Sequence, residues 1–170
     1  MLKKCSLTVW QGIAEILSAA AVLATSVTLS LRWKHLAEKI PSHYDKFGQP
    51  DAWCNKGMLL ALVIVQLVLF VGITVLLLFP KVWNIPIAVS EAGKVQLLRK
   101  TRTLICTMKL LLSVGIGIII FFTAIGKQLS GWLSLLMIIA VIGNMICYFV
   151  GTAQISLQEA RRAINRDLEQ

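Results

Sequence analysis

Three side chains within one short segment, His43, Asp45 and Asp51, are of the types that bind divalent cations. Imidazole and carboxylate groups are the usual protein donors to such ions, and a bound cation would order a segment rich in turn residues. His35 is a fourth candidate ligand, although this spacing is not diagnostic of a metal site. The segment has two other interpretations, peptide binding and a structural role. We predict the structural role, in which His43 and Asp51 bond backbone groups across the turn at 48–50.

A second set of chemically informative residues lies inside long apolar stretches of the sequence. Glu15 and Lys109 are ionisable residues there, and a charge within a membrane span is a functional hypothesis by default. Both lie within about two helical turns of one end of their stretch, so each side chain has the alternative of reaching the lipid headgroups separately. We predict instead an ion pair between them, because each charge relieves the desolvation of the other.

Gln66 and Asn144 lie deeper inside two other apolar stretches. An amide group in hydrocarbon seeks a hydrogen-bond partner on a neighbouring helix. Small residues that permit close approach of helices accompany them: Gly115, Gly117, Gly143, Gly151, Ala14, Ser18 and Ala21. We interpret this set as helix packing, with a path for a solute as the alternative.

The elements that position these residues follow from the hydropathy of the chain. Of the 170 residues, 57% are hydrophobic and 15% are charged, and the mean hydropathy is +0.77, which is more apolar than a soluble core accommodates. Four apolar runs are long enough to cross a bilayer as helices, which takes about 20 residues each. They cover residues 9–31, 57–79, 104–126 and 132–153. The sequence therefore predicts an all-α integral membrane protein with four transmembrane helices.

The distribution of lysine and arginine predicts the orientation of these helices, because the cytoplasmic flanks of membrane spans retain positive charge. With the N-terminus inside, ten basic flanking residues are cytoplasmic: Lys3, Lys4, Lys81, Lys94, Arg99, Lys100, Arg102, Arg161, Arg162 and Arg166. Six are then outside: Arg32, Lys34, Lys39, Lys46, Lys56 and Lys127. We therefore predict that both termini are cytoplasmic.

This orientation assigns the segments between and after the spans. Residues 32–56 are predicted to form an extracytoplasmic loop, 80–103 a cytoplasmic segment whose helix starts after Ser90, and 154–170 a cytoplasmic amphipathic tail. The tail lies either on the inner headgroups or against the helix that follows Ser90. The five tryptophans lie beside or at the end of a span, which supports the count of four: Trp10, Trp33, Trp53, Trp83 and Trp132.

Several functional classes are disfavoured by the same sequence. The net charge of +9 comes from basic residues between the apolar runs, so nucleic acid is not a predicted partner. The four cysteines lack metal-binding spacing, and no catalytic motif or paired intramembrane aspartate is present, so we predict no cofactor and no enzymatic activity. The first apolar run is longer than the core of a signal peptide and is predicted to remain as a span.

The loop between the first two spans is rich in both turn residues and aromatic residues. Pro41 and Pro50 restrict the backbone, and Gly48 suits a tight turn. Three aromatic side chains give this loop apolar surface to bury, and burial of an indole is favourable by roughly 2–3 kcal/mol. We predict an ordered cap on the outer end of the bundle, with Trp53 as its anchor.

The same loop resembles the loop that follows the first span of the SdpI-type membrane proteins. The matching residues are Ile40, Pro41, His43, Gly48, Pro50, Asp51, Trp53 and Lys56. The resemblance covers residues 10–80 and, more loosely, the basic helix that enters the third span. Members of that family look like receptor and immunity proteins that protect a bacterium from a secreted toxic peptide and signal to a cytoplasmic repressor.

The resemblance implies a multi-pass protein of the bacterial inner (plasma) membrane with an immunity or sensing role. Its ligand would be an extracytoplasmic peptide bound by the 40–56 loop, and its basic inner helices would meet a cytoplasmic or membrane protein. A homo-oligomer stays open as a further alternative. A second candidate function is a small proton-coupled multidrug exporter in which Glu15 carries the proton, since four spans with a glutamate in the first are the general plan of such transporters.

Overall fold

The computed structural model describes residues 7–45, 50–83, 90–127 and 129–168. Its helices are α1 (Val9–Arg32), α2 (Gly57–Leu78), α3 (Glu91–Ala124) and α4 (Gly131–Leu168). Its strands are β1 (Lys39–Tyr44) and β2 (Pro50–Asn55). All four helices are long and apolar enough to cross a membrane, in agreement with the four predicted spans. The fold is that of a helical membrane protein, with a β-hairpin added between α1 and α2.

Local sequence explains where the helices begin and end. Thr8 and Gln11 form a capping box, in which the Thr8 hydroxyl accepts from the Gln11 N–H at 3.3 Å and the Gln11 side chain accepts from the Thr8 N–H at 3.1 Å. At the start of α3 the Ser90 hydroxyl accepts from the Gly93 N–H at 3.2 Å, as the sequence predicted. α3 ends before Gly126, whose φ of +68° is a conformation that glycine adopts without strain.

α3 is the central helix of the bundle, because it packs against each of the other three helices. α1 presents one face of its cylinder to the bundle, and the buried residues on that face recur at helical spacing: Gln11, Ala14, Ser18, Val22, Thr25 and Leu29. The apolar window of α4 contains no buried residue. α4 therefore packs at the edge of the bundle and leaves its apolar surface exposed, as expected of a helix that faces lipid.

Two glycines allow α3 to approach its neighbours closely. A Cβ atom at Gly117 would lie 2.7 Å from the Thr25 hydroxyl of α1, which is too close unless the Thr25 side chain or one of the helices shifts. A Cβ atom at Gly115 would meet the flexible end of the Met137 side chain of α4. Nothing stands within 4 Å of the corresponding position at Gly143. The predicted packing role of the small residues is therefore supported most strongly at Gly117.

β1 and β2 form an antiparallel hairpin at one end of the bundle, called here the hairpin end. Ile40 of β1 is 5% exposed and packs in an apolar cluster with Leu29 of α1, Leu59 of α2 and Ile120 of α3. Successive side chains on a strand point to opposite faces, so Ile40 and its cross-strand partner Cys54 face the bundle. One face of the hairpin is thus held by the helices.

Trp53 does not anchor the loop, so that part of the sequence prediction was wrong. Trp53 precedes Cys54 on β2 and therefore lies on the opposite face, where it is 59% exposed. The amino-acid composition of the loop shows that aromatic side chains are available for burial, but it does not show which one is buried. The pairing of the strands decides which side chains face the bundle, and it gives that position to Ile40.

At the opposite end of the bundle, called here the far end, α3 and α4 continue together past the first turn of α1. Leu97 and Ile155 are buried where the two helices pack, and the Ser90 N–H donates to Glu159 Oε2 at 3.2 Å. Of the two predicted placements of the C-terminal tail, packing against the helix that follows Ser90 is the one observed. Three large apolar side chains of this amphipathic tail are nevertheless exposed: Leu157, Ile164 and Leu168.

Candidate functional site

The exposed side of the hairpin brings two predicted site residues together. His43 Nδ1 of β1 and Asp51 Oδ1 of β2 lie 2.5 Å apart, and their side chains are 70% and 46% exposed. The sequence predicted that both residues bond backbone groups across the turn at 48–50, whereas the structure joins them to each other. His43 and Asp51 each lie two residues from the paired Pro41 and Trp53, so the alternation of strand side chains brings both to the same exposed face. Gly48 lies outside the described residues.

The other loop residues join the hairpin to the helices. Pro41 lies within β1, and Pro50 is the first residue of β2. Lys56 immediately precedes α2, and its ammonium lies 2.8 Å from Glu38 Oε1 and 5.3 Å from the centre of the Trp33 ring. The Lys56 side chain is only 16% exposed. This ammonium therefore links the end of the hairpin to the segment that leads into it, through an ion pair and a cation–π contact.

No metal site is assembled in the part of the chain that the structure describes. Among those residues, no three His, Cys, Asp or Glu side chains come together in an arrangement that holds a metal ion. Asp45, a weak candidate from sequence, therefore does not complete a ligand set with His43 and Asp51. Two donors fall short of the four ligands of a structural zinc site. What the pair does offer is hydrogen bonding to a molecule that approaches from solvent.

The interior of the bundle contains a second set of joined site residues. Lys109 of α3 is 1% exposed, and its ammonium donates to Glu15 Oε2 of α1 at 2.7 Å and to Thr74 Oγ1 of α2 at 2.6 Å. It also lies 4.0 Å from the centre of the Phe70 ring. The predicted ion pair is present, and the two side chains do not reach outward separately. One ammonium group thereby links three helices.

Burial makes this ion pair costly to break. An unpaired charge in a low-dielectric interior costs several kcal/mol, whereas a partner charge with additional hydrogen bonds offsets most of that penalty. Lys109 has both a carboxylate and a hydroxyl as acceptors. The second oxygen of Glu15, Oε1, is buried with no hydrogen-bond partner among the described residues, although the side chain as a whole is 29% exposed. In this pair the lysine therefore makes more hydrogen bonds than the glutamate does.

These contacts bear on the transport alternative. A carboxylate that carries protons or cations across a membrane must exchange its bound ion with both sides. Glu15 is instead neutralised by a lysine that Thr74 and Phe70 also hold. A groove of about 220 Å³ lies between α1 and α3 towards the hairpin end, and neither Glu15 nor Lys109 lines it. The geometry does not favour an exporter based on Glu15.

Both predicted intramembrane amides bond to neighbouring helices. Gln66 of α2 is 1% exposed and donates to the Ser113 carbonyl of α3 at 2.7 Å, and its Nε2 also lies 3.5 Å from the Thr25 hydroxyl of α1. Asn144 of α4 donates to the Leu104 carbonyl of α3 at 3.4 Å. Helix packing, the interpretation preferred from sequence, accounts for these contacts.

Three residues of the interior network escaped the sequence analysis. Thr74 and Phe70 contact Lys109, and Gln11 donates to the Thr103 hydroxyl at 2.9 Å. A signal for Thr74 was present, because it lies within about two turns of the end of its span, the same depth as Lys109. Nothing in the sequence indicated Phe70 as a contact of Lys109, since aromatic residues are common within apolar runs.

Three comparisons bear on the identity of the chain. Comparison of the chain with protein-family models, curated proteins and solved structures found no match.

Proposed function

We propose that this chain is a non-enzymatic protein of the bacterial plasma membrane that recognises an extracytoplasmic peptide in an immunity or sensing role. The observation that supports this most is the division of the hairpin into two sides. Ile40 packs on the bundle, while His43, Asp51 and Trp53 stay exposed. The resemblance of this loop to that of the SdpI-type proteins supports the same role.

The physical argument is one of preorganisation. A surface that is already held in place loses less conformational entropy when its ligand binds. Ile40 and Lys56 fix the hairpin without using its exposed side chains. An exposed indole such as that of Trp53 offers a large contact area with few rotatable bonds, and the polar His43–Asp51 pair offers hydrogen bonds beside it.

On this proposal the far end of the bundle is cytoplasmic and meets a partner there. The 34 residues of α3 and the 38 residues of α4 make helices of about 50 and 57 Å, whereas the hydrocarbon core of a bilayer is about 30 Å thick. The excess length lies at the far end. The last turns of α4 there carry exposed arginines beside the exposed apolar side chains: Arg161, Arg162 and Arg166. A basic amphipathic helix of this kind suits a protein or membrane partner on the inner side.

The orientation is tested by labelling single cysteines in a variant without native cysteines. We expect an impermeant maleimide to label Ser42→Cys, on the hairpin, in intact cells, because basic residues flank the far end more heavily. Ala160→Cys, in the tail of α4, should be labelled only after the membrane is permeabilised. Both positions are exposed in the structure, so access is not limited by packing. Labelling of Ala160→Cys alone in intact cells would reverse the proposed orientation.

The function is tested by protection of growth in the bacterium that carries the chain. Deletion of the gene is expected to make cells sensitive to the peptide fraction of their own culture medium, and the wild-type chain should restore growth. Trp53→Ala should fail to restore it, because the substitution removes a large exposed aromatic surface of the hairpin.

Trp132→Ala is the matched control for this experiment. Trp132 is also an exposed tryptophan, 81% exposed, and it lies on α4 at the hairpin end but outside the hairpin. We expect this variant to protect as the wild type does. A deletion strain that is no more sensitive than its parent, or a Trp53→Ala variant that protects fully, contradicts the proposed function.

A further inference from the structure

The outer edge of β2 is open for backbone pairing. The sheet formed by the described residues consists of β1 and β2 alone, so none of those residues adds a third strand beside β2. Every residue of β2 is exposed except Cys54, which is half-buried. A strand edge of this kind presents unpaired N–H and C=O groups, and many proteins bind extended peptides at such edges.

The register shows which backbone groups point outward at this edge. The Lys56 N–H donates to the Glu38 carbonyl at 3.0 Å, so these two residues form a hydrogen-bonded pair. Hydrogen-bonded and non-hydrogen-bonded pairs alternate along an antiparallel ladder. Trp53, which lies opposite Pro41 further along the ladder, therefore belongs to a non-hydrogen-bonded pair. The N–H and C=O of Trp53 consequently point away from β1, towards the open edge.

The edge of β1 is blocked by its own sequence. Pro41 lies in the same non-hydrogen-bonded pair as Trp53, and it has no N–H to present to a third strand. The register of β1 is also interrupted between Pro41 and His43, which is a β-bulge or a similar irregularity. Prolines and bulges are the devices by which natural edge strands avoid pairing. β2 has its own proline, Pro50, and an irregularity beside Asp51, but both lie in its first two residues. The outer edge around Trp53 is therefore regular and is the more usable edge of the hairpin.

We infer that β2 takes up its ligand by strand addition, in which an extended peptide segment pairs with the backbone N–H and C=O of Trp53 as a third strand. The inference rests on the proposed function and specifies the ligand as a peptide in extended conformation. Cross-strand neighbours on one face of a sheet contact each other, so the Trp53 indole packs on the nearest ligand side chain of its face. Backbone bonds supply affinity, and the indole adds a preference for an apolar neighbour.

The test removes one outward N–H and keeps every side chain. In the full chain, expressed in the deletion strain, the amide between Ala52 and Trp53 is replaced by an ester through incorporation of the α-hydroxy analogue of tryptophan. The matched control is an ester between Glu38 and Lys39, which removes an outward N–H from the edge of β1. Each ester also weakens the carbonyl of the preceding residue, so the two variants share that side effect.

The readout is the concentration of the secreted peptide fraction that halves the growth rate. We expect the Trp53 ester to lower this concentration about two- to tenfold relative to the Lys39 ester, which is the range for loss of one backbone hydrogen bond. Equal protection by the two esters overturns strand addition. If Trp53→Ala abolishes protection while the esters remain equal, recognition uses side chains alone and the proposed function stands. If Trp53→Ala also protects fully, both proposals fail.

Discussion

Glu15→Gln is expected to destabilise the folded bundle by about 3–5 kcal/mol, because it leaves the Lys109 ammonium buried without a counter-charge. Lys109 is 1% exposed, so its ammonium does not reach the headgroups unless α3 unpacks from its neighbours. The hydroxyl of Thr74 and the ring of Phe70 stay in place in this variant, but neither carries a negative charge. The free energy of unfolding in detergent micelles or bicelles measures the loss.

Two further variants separate the ion pair from the other effects of substitution. Lys109→Met removes the buried charge and leaves Glu15, whose side chain is 29% exposed near the end of its span and can turn towards the headgroups. We expect this change to cost less than Glu15→Gln. The double variant removes both charges and should be more stable than Glu15→Gln alone, with a coupling energy of about 1–3 kcal/mol. Additive effects of the two single changes would show that the contact contributes no pairing energy.

The depth of the ion pair was predictable, but its full set of partners was not. Helical rise is constant, so the position of Glu15 and of Lys109 within their spans gives equal depth without any structure. Thr74 and Phe70 become partners only because α3 lies between α1 and α2 and is rotated to place Lys109 towards both. The order and rotation of helices in a bundle depend on packing between helices, which local sequence does not encode.

The four helices were predictable for a related reason. A run of about 20 apolar residues is a strong signal because the thickness of the bilayer sets its length. The start of α3 was also predictable, since Ser90 has a side chain that accepts from the first free N–H groups of a helix. The unbroken continuation of α4 to Leu168 was foreseen as an amphipathic tail. Its placement against α3 could not be predicted from sequence and is seen in the contact between Ser90 and Glu159.

The hairpin was the least predictable element. Prolines at 41 and 50 argue against strands, because proline lacks the N–H that a ladder requires. The structure accommodates Pro41 in a non-hydrogen-bonded position and Pro50 at the first residue of β2. Order in this loop was predicted from its aromatic content, but which residue faces the bundle depends on register. A shift of one residue would exchange Ile40 and Pro41 between the two faces.

Ile40→Ala is expected to release the hairpin from the bundle while the four helices stay assembled. Ile40 is 5% exposed and contacts Leu29, Leu59 and Ile120, and truncation of such a buried side chain typically costs about 2–5 kcal/mol. An isolated two-stranded hairpin is marginally stable in water, and the remaining contacts of half-buried Cys54 and of Lys56 with Glu38 and Trp33 are too weak to hold it. The helices are unaffected because their packing depends on other contacts.

The matched control is His43→Ala, which removes a side chain of the same hairpin that is 70% exposed. The His43–Asp51 contact that it breaks is at the surface, where such polar pairs contribute less than about 1 kcal/mol. Amide hydrogen exchange of the protein in nanodiscs should therefore rise steeply over residues 39–44 and 50–55 in Ile40→Ala and only slightly in His43→Ala. Equal exchange in the two variants would mean that Ile40 holds the hairpin no more strongly than the exposed His43 does. Because a released hairpin is no longer preorganised, Ile40→Ala should also reduce growth protection although every exposed side chain is retained.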